Sequence, residues 1–366
     1  MASPRRVALI VTPGYLPLLG GMERECALLA REFARRGFEP VVITEDQGMD
    51  VPSRERIDGV EVIRIRSRAE RSLPLQLRVA ARMSWLVFRR RRHVAVAIVR
   101  TMTLPALAVG LAKRLRLIRF PTLVTAETGF DVAALRERPL YPLSRALASA
   151  HDCLNGLSQA NLEDLRAGGF PESKITRIPN GIETHAWDTA TPPERVERLL
   201  FLGRLDPEKG VFELADAFAD VRSRHKSLRL TIAGDGPARA ELGRRCEELG
   251  IADAVKFLGR VPYEEVGALF QRIDCMVLPS YSEGMPLTVL EAAAHRRVLV
   301  VTDVGDLRGM FGDRIHIAPP RDAAGLARVL EEVVTTVPDA DYSDVIEKVS
   351  IESVAGAMLS RLGVSG

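Results

Sequence analysis

The chain has 366 residues, with 51 Lys+Arg against 48 Asp+Glu, and 46% of its residues are hydrophobic. This length predicts about two domains, each large enough to bury its own core. The charged fraction of 27%, together with 28 Gly and 22 Pro, excludes a disordered or collagen-like chain. The 4 cysteines form no C-x-x-C pair, which excludes a zinc ribbon and a disulfide scaffold. This pattern is typical of a reducing compartment, and we expect a cytoplasmic protein.

Short runs rich in Val, Ile and Leu alternate with helical patterns along nearly the whole chain. The first half is predicted to have strands at 7–11, 40–44, 60–64, 94–99, 122–125 and 153–157. Its predicted helices are 22–36, 74–92, 105–115, 141–149 and 160–167. The second half repeats the rhythm, with strands at 199–202, 229–233, 255–257, 275–278, 298–301 and 316–318. Its predicted helices are 211–224, 237–249, 263–272, 286–295 and 323–335.

Apolar strands separated by helices predict parallel sheets that are covered on both faces. Twelve strands exceed what one doubly wound sheet needs, so we predict an α/β protein with two Rossmann-like domains, 1–185 and 195–350. We expect residues 351–366 to form a helix that packs back on the first domain. Pro-Asn-Gly at 179–181 and Thr-Pro-Pro at 191–193 mark the boundary. Because ligands of such sheets bind at the carboxyl ends of strands, we expect two domains facing across a cleft.

The positive charge lies mainly in the first half. Residues 1–190 contain 29 Lys+Arg and 20 Asp+Glu, whereas the remainder contains 22 and 28. Between Arg64 and Arg92 there are ten arginines and a single acid, Glu70. A basic amphipathic helix containing Trp85 and Phe88 predicts peripheral contact with an anionic membrane at its cytoplasmic face. The alternative is a solvated arginine face on an ordinary surface helix. No signal peptide or membrane span is expected, and we expect no nucleic-acid partner.

A first candidate binding loop follows the strand at 199–202. It supplies Arg204 and Lys209 and leads directly into a helix. Two cations beside the positive end of a helix dipole and its free N–H groups favour a diphosphate. The alternative is a pair of solvated loop cations.

A second candidate loop follows the strand at 275–278 and contains Glu283 and Gly284. Glu291 comes eight positions after Glu283, about two turns into the next helix. Carboxylates accept hydrogen bonds from vicinal hydroxyls, so this pair could hold two sugar rings of one ligand. The amides of Gly284 and Met285 could meet an anion between them, whereas Pro286 has no N–H and suits a first helical turn. The alternative is that Glu283 only balances the helix dipole at the start of the helix and that Glu291 is an ordinary surface residue.

Five motifs together resemble those of the retaining glycosyltransferases of family 4, whose fold is GT-B. They are L-G-G-M-E-R at 19–24, P-N-G-I-E at 179–183, G-R-L-D-P-E-K-G at 203–210, A-G-D-G-P at 233–237 and E-x7-E at 283–291. The resemblance runs from about residue 7 to residue 330 and implies a sugar transfer from a nucleoside-diphosphate sugar to an acceptor hydroxyl. That acceptor would be a small molecule, a glycan or a lipid-linked sugar.

The resemblance also implies roles for individual residues. Arg204 and Lys209 would bind the donor diphosphate and stabilise the departing nucleoside diphosphate, with Glu283 on the donor sugar and Glu291 on the ribose. A front-face reaction is implied, in which the leaving phosphate helps to deprotonate the acceptor. Further donor contacts are implied for Gly20, Gly21, Gly203, Gly234, Asp235, Arg260, Val261, Gly284, Met285, Pro286, Leu287 and Thr288. Candidates for contact with the sugar or the acceptor are Glu127, Thr128 and Asp131.

No metal or other cofactor is expected. The Asp-x-Asp pair at Asp339 and Asp341 lies in a polar linker, and Arg204 and Lys209 can supply positive charge at the diphosphate.

Three departures from the family pattern leave other hypotheses open. Thr128 stands where many members have histidine, His295 follows the second glutamate in place of glycine, and Asp306 replaces a glycine after Gly305. The alternatives are a nucleotide-sugar epimerase of the same fold and a catalytically weak nucleotide-sugar-binding protein. The absence of a G-x-G-x-x-G after a strand argues against a nicotinamide dehydrogenase.

Overall fold

The computed structural model describes residues 6–18, 20–67, 72–126, 132, 135–137, 140–185 and 190–365. The chain divides into two compact units. The first comprises Met1–Ile182 together with Ser350–Gly366, and the second comprises Glu183–Val349. Each unit is built on its own sheet with helices between the strands, so the predicted α/β class with two doubly wound sheets is confirmed.

The first unit contains a sheet in which, over the described residues, eight strands follow the order β3-β4-β2-β1-β5-β6-β7-β8. These strands are β1 (Val7–Val11), β2 (Glu39–Glu45), β3 (Arg54–Ile57), β4 (Val60–Ile65), β5 (Val94–Arg100), β6 (Thr122–Ala126), β7 (Cys153–Gly156) and β8 (Ile175–Thr176). Neighbouring strands pair in parallel, except β3 with β4. The fully buried β1 lies inside the sheet, as its unbroken run of apolar residues predicts.

Helices cover both faces of this sheet. They are α1 (Gly21–Arg35), α2 (Leu73–Arg90), α3 (Leu104–Arg114), α4 (Tyr141–Ala148), α5 (Gln159–Ala167) and α13 (Ile351–Arg361). Helices α1 and α13 share one core cluster, which includes Phe33 and Met358. Helices α2 to α5 contribute to a separate cluster that includes Met83 and Leu107. The two clusters take alternate residues of β1, for example Ile10 in the first and Leu9 in the second, as opposite sides of one strand require.

The second unit repeats this plan with a fully parallel sheet in the order β11-β10-β9-β12-β13-β14. Its strands are β9 (Arg198–Leu202), β10 (Arg229–Ala233), β11 (Val255–Gly259), β12 (Cys275–Leu278), β13 (Val298–Thr302) and β14 (His316–Ala318). The helices are α6 (Val211–Arg224), α7 (Arg239–Glu248), α8 (Tyr263–Gln271), α9 (Leu287–Ala294), α10 (Leu307–Phe311), α11 (Ala323–Thr336) and α12 (Ser343–Val349). None of the helices in the described residues has both the length and the apolar character needed to cross a membrane.

The β3–β4 hairpin is a difference from the predicted elements, and it corrects the predicted basic block. Asp58 and Gly59 form its two-residue turn with φ values of 49° and 82°, the left-handed conformation that Asp-Gly turns supply. On β4 the Arg64 side chain is only 1% exposed. Its guanidinium bonds to the Glu55 carboxylate and to the carbonyl of Leu16. Arg64 therefore does not contribute to the exposed basic block, because its guanidinium is buried against Glu55 and Leu16.

Candidate functional site

Two of the predicted binding loops lie at the same edge of the second unit's sheet. Strands β9 and β12 are parallel neighbours, so their carboxyl ends emerge side by side. The loop at 203–210 joins β9 to α6, and the loop at 279–286 joins β12 to α9. Sequence-distant loops are thereby placed together by strand order alone.

A hydrogen bond joins two of the predicted catalytic residues across these loops. The Lys209 ammonium donates to Oε1 of Glu283 at 2.6 Å. The hydroxyl of Ser280 donates to the same oxygen at 2.7 Å. Both charged side chains are partly buried, 24% exposed for Lys209 and 15% for Glu283. The Glu283 carboxylate is therefore fixed in direction, and Ser280 is a residue of the site that the sequence reasoning missed.

Gly210 allows the two loops to touch. Its φ of 67° is left-handed, and a Cβ at this position would lie 2.1 Å from the carbonyl oxygen of Pro279. The neighbouring amide of Tyr281 donates to the Glu208 carbonyl at 2.8 Å, which ties the same two segments. Backbone approach this close requires glycine, so the conformation at Gly210 is part of what brings Lys209 to Glu283.

Arg204 lies on the open side of the same loop. Its side chain is 75% exposed, and its guanidinium pairs with the carboxylate of Asp206. Asp206 is mostly buried, so it holds the arginine at the loop without taking it out of solvent. An exposed guanidinium offers the planar pair of donors that phosphate groups bind well.

Glu291 is more buried than the surface interpretation of its sequence position would allow. It lies on α9 and is 4% exposed, among residues of that helix that are almost all buried. Pro286 precedes the helix as its N-cap, and Met285 and Leu287 beside it are buried too. The predicted E-x7-E pair therefore consists of one loop carboxylate and one carboxylate inside the helix layer.

The A-G-D-G-P turn packs against the loop that carries Arg204. Gly234 has a φ of 138°, and a Cβ there would lie 1.8 Å from the carbonyl oxygen of Gly203. The amide of Leu205 donates to the Asp235 carbonyl at 3.0 Å. Gly203, Gly234 and Asp235, which are predicted donor contacts, therefore allow these two loops to approach closely.

Two further predicted donor contacts follow β11. Arg260 is 82% exposed and lies 3.9 Å from the carboxylate of Asp235, while Val261 is partly buried. The strand order β11-β10-β9 brings this third loop to the same edge of the sheet. Thr288, in the first turn of α9, is partly buried.

Two departures from the family pattern have a physical account in the fold. Asp306 stands where the family has glycine and adopts a φ of 61°, a left-handed conformation that Asp tolerates better than most residues. His295 caps α9 with its Nδ1 2.8 Å from the Glu291 carbonyl, and its ring packs 5.1 Å from that of Phe270. Burial lowers the pKa of His295, helped by the nearby Arg297.

The first unit holds the predicted glycine loop. Gly20 is the N-cap of α1 and Gly21 its first residue, and both are exposed. A Cβ on Gly20 would lie 2.3 Å from a carboxylate oxygen of Glu23, so the space beside this glycine is occupied by that side chain. The candidates Glu127, Thr128 and Asp131 lie outside the described residues.

A buried charged cluster beside this loop was not predicted. The Arg100 guanidinium at the end of β5 pairs with the Glu25 carboxylate of α1, and both side chains are 0% exposed. Arg100 also donates to the Asn180 side chain at 3.2 Å, and the Gly181 amide donates to Glu25 at 3.4 Å. The Pro-Asn-Gly segment is thereby anchored on two charges whose pairing no local sequence signal indicated.

The described residues offer no grouped set of metal ligands. Among the described residues, no three His, Cys, Asp or Glu side chains are grouped to hold one metal ion. Asp341 of the Asp-x-Asp pair accepts a hydrogen bond from the Ser343 amide at 3.0 Å, beside the start of α12.

Both halves of the chain are similar to known proteins. Over 166 residues the chain is 36% identical to glycogen synthase of Mycobacterium tuberculosis, which covers 44% of this chain and 40% of that protein. It is 27% identical over 378 residues to an uncharacterized glycosyltransferase of Methanocaldococcus jannaschii, covering 94% of this chain and 95% of the other. A solved Anabaena protein, HepE in complex with UDP and glucose, superposes with a TM-score of 0.74 at 15% identity. That superposition covers 97% of this chain and 99% of the Anabaena chain and shows the GT-B fold.

Two family models match consecutive parts of the sequence. The model for Glycosyltransferase Family 4 matches residues 19–186, and that for Glycosyl transferases group 1 matches residues 187–343. Together they extend over most of the chain and contain all five motifs on which the resemblance was based. The chain therefore belongs to the family 4 glycosyltransferases.

Proposed function

We propose that the protein transfers a sugar from a nucleoside-diphosphate sugar to an acceptor hydroxyl, with retention of anomeric configuration and without a metal ion. The observation that supports this most is the bond between Lys209 and Glu283, which joins a cation loop to a carboxylate loop at one sheet edge. The Anabaena protein of the same fold is in complex with UDP and glucose. Arg204 and Lys209 can bind phosphate groups, and the neighbouring Glu283 carboxylate can accept hydrogen bonds from sugar hydroxyls, so the site suits a nucleotide and a sugar.

Arg204 and Lys209 are assigned to the diphosphate. As the bond between the anomeric carbon and the phosphate oxygen breaks, negative charge grows on the leaving nucleoside diphosphate. Fixed cations at that position stabilise the transition state more than the ground state, which is the condition for catalysis. They would also supply the charge that a divalent metal provides elsewhere, and this is the basis of the metal-independent proposal.

Glu283 is assigned to positioning the donor sugar. One of its oxygens already accepts hydrogen bonds from Lys209 and Ser280, which stabilise the carboxylate as an anion and weaken it as a nucleophile. We therefore propose a front-face reaction, in which the acceptor oxygen attacks from the side that the phosphate leaves. The acceptor oxygen bonds to the anomeric carbon as the bond from that carbon to the phosphate oxygen breaks, and the departing phosphate oxygen takes the acceptor's proton. No covalent sugar–protein intermediate is needed.

The function is tested by measuring nucleoside diphosphate release from UDP-, GDP-, ADP- and TDP-sugars, with and without a panel of hydroxyl acceptors. We expect nucleoside diphosphate release that requires an acceptor, and full activity in EDTA. The coupling constant of the product's anomeric proton should show the same anomeric configuration as the donor. Inverted product would overturn the front-face proposal. Activity that EDTA abolishes and magnesium restores would overturn the metal-free one. Donor isomerisation without any acceptor would identify an epimerase instead.

A further inference from the structure

A long basic segment of the first unit lacks any acidic residue. Residues 72–126 contain 11 Lys+Arg and no Asp or Glu, although Asp+Glu make up 48 of the 366 residues of the chain. Helices α2 and α3 both lie in this segment. An ordinary solvated helix face carries charges of both signs, so this one-sided composition needs a reason.

The outward face of α2 combines arginines with exposed apolar side chains. Its inward face buries Val79, Met83 and Val87. The exposed positions on the outward face of the same turns are Leu77, Arg78, Ala81, Arg82, Trp85 and Arg89. Trp85 is 42% exposed, and the guanidinium groups of Arg82 and Arg89 lie 4.5 and 5.3 Å from its ring centroids. The exposed apolar groups are therefore interleaved with cations rather than separated from them.

Exposed leucines continue this surface onto the neighbouring helices. Among the described residues, eight of the nine exposed large hydrophobic side chains fall between residues 73 and 143. These eight are Leu73, Leu77, Trp85, Leu111, Leu115, Leu117, Leu140 and Leu143. We call α2, α3, residues 115–117, Leu140 and α4 the α2–α4 surface.

The α2–α4 surface belongs to one side of the first unit. Helices α2, α3 and α4 all pack on the same core cluster, with Met83, Leu107 and Ala148 among its members. The opposite cluster is covered by α1 and α13, which carry charges of both signs, Glu23 and Arg35 on α1 and Glu352 and Arg361 on α13. At the start of α2, an open groove of about 630 Å³ is lined by Arg66, Arg78 and Arg82 beside Leu75 and Val79. Cations and apolar side chains thus meet on a single side of the unit.

We propose that the α2–α4 surface binds the face of an anionic lipid bilayer. The arginines match the negative charge of the headgroups, and the exposed leucines and Trp85 enter the boundary between headgroups and acyl chains. A polyanion such as RNA would satisfy the arginines but would leave eight exposed apolar side chains without a partner. The charge complementarity and the apolar content together favour the bilayer.

The first test is sedimentation of the full chain with vesicles. We expect binding to phosphatidylglycerol–phosphatidylcholine vesicles at low salt, loss of most binding at about 0.5 M salt, and none to pure phosphatidylcholine vesicles. No binding to the anionic vesicles at low salt would overturn the proposal.

A charge-matched pair of variants locates the binding surface. Arg78→Gln with Arg82→Gln and Arg89→Gln should weaken the vesicle partition coefficient on the order of a hundredfold, since each arginine near a charged surface is worth roughly fivefold. The control removes the same charge elsewhere, by Arg31→Gln, Arg35→Gln and Arg56→Gln, and should change it only slightly. Equal losses in the two triple variants would show that net charge alone is responsible and would overturn the assignment to this surface.

The apolar part is tested without changing the charge. Leu77→Ser with Trp85→Ser should reduce vesicle binding about tenfold while leaving heparin binding unchanged. In a Trp187→Phe background, Trp85 is the remaining one of the 2 tryptophans, and its emission should shift to the blue on vesicle binding. An unshifted emission of Trp85 would contradict its insertion into the bilayer. If the serine variant bound single-stranded RNA as tightly as the wild type binds vesicles, a nucleic-acid partner would be favoured instead.

Discussion

At the scale of single residues, Arg204 allows catalysis to be separated from folding. Its side chain is 75% exposed and pairs with an acid, and Arg328 offers a match at 74% exposure, 3.7 Å from Asp322. We expect Arg204→Gln to lower transfer by roughly a hundredfold or more, because a transition-state cation is lost. Arg328→Gln should leave transfer unchanged, and neither should shift the melting temperature appreciably, because exposed pairs contribute little. Near-normal turnover of Arg204→Gln would remove it from the site.

Lys209 calls for a different design because its partner is also assigned to the site. Lys209→Met should abolish most transfer, while the free energy of unfolding of the second unit falls by only about 1 kcal/mol, since the pair is partly exposed. In the double variant with Glu283→Gln, the stability losses should not add, because both changes break one interaction. Strict additivity in urea unfolding would contradict the coupling of these two side chains.

Residue types in the motifs could be read from the sequence, whereas their partners could not. Arg204, Lys209 and Glu283 are charged residues in loops after apolar strands, and that pattern is visible locally. Ser280 and the Arg100–Glu25 pair depend on which segments the fold brings together. A buried pair from residues 75 positions apart leaves no periodic signal, so only the three-dimensional structure reveals it.

At the scale of elements, the contact between two loops rests on Gly210, and a matched glycine isolates this effect. Gly210 and Gly250 have φ values of 67° and 64°, but a Cβ on Gly250 would meet nothing within 4 Å. Each Gly→Ala variant should lose about 1 kcal/mol of unfolding free energy, because alanine disfavours the left-handed conformation. Gly210→Ala should cost further stability and transfer activity, because its Cβ would collide with Pro279. Equal unfolding free energies for the two variants would show that the close approach carries no energetic weight.

A pH dependence is expected from His151, which links α3 to β6. Its ring nitrogens lie 3.0 Å from the Ala106 carbonyl and 3.0 Å from the Thr122 hydroxyl, and the side chain is fully buried. Burial lowers the pKa of His151 to about 4, with Lys113 acting in the same direction and the bond to Ala106 opposing it. An unfolded histidine has a pKa of about 6.5. The full contribution to stability is therefore present above about pH 6.5 and is lost as the pH falls towards 4, up to about 3 kcal/mol.

This prediction is measured by urea unfolding of the first unit at several pH values. His151→Gln should be less stable at neutral pH, but its stability should decline less steeply between about pH 6.5 and pH 4 than that of the wild type. Parallel pH profiles for the two proteins would contradict a neutral, buried His151 as the source of the slope.

Element types were predictable where apolar periodicity was strong. The predicted strands at 7–11, 229–233 and 275–278 have the bounds that the structure gives them. Strand β3 escaped prediction because its four residues, Arg-Glu-Arg-Ile, are mostly charged and lie at the edge of the sheet. The Asp58-Gly59 turn was the local signal that could have revealed its hairpin.

At the scale of the whole molecule, the chain returns to its first unit after completing the second. Ile182 of the linker pairs with Ser350 in a parallel bridge, and Gly181 leaves room for Ile351, whose side chain a Cβ there would approach to 2.6 Å. The first unit is therefore assembled from two separated segments, and the second is continuous in sequence. This difference predicts different responses to truncation.

Removal of residues 350–366 should destabilise the first unit selectively. Helix α13 buries Ile351, Val354, Ala355, Met358 and Leu359 in the cluster that it shares with α1. Burial of each large apolar side chain is worth about 1.5–3 kcal/mol, so the loss would approach the whole stability of a domain. The second unit keeps all its residues, so we expect it to retain nucleoside diphosphate binding, measured by calorimetry, while proteolysis degrades residues 1–182. Met358→Ala, costing about 2–5 kcal/mol, gives a milder version with the chain intact. A truncated protein whose first unit resisted protease as the wild type does would show that α13 is dispensable for that core.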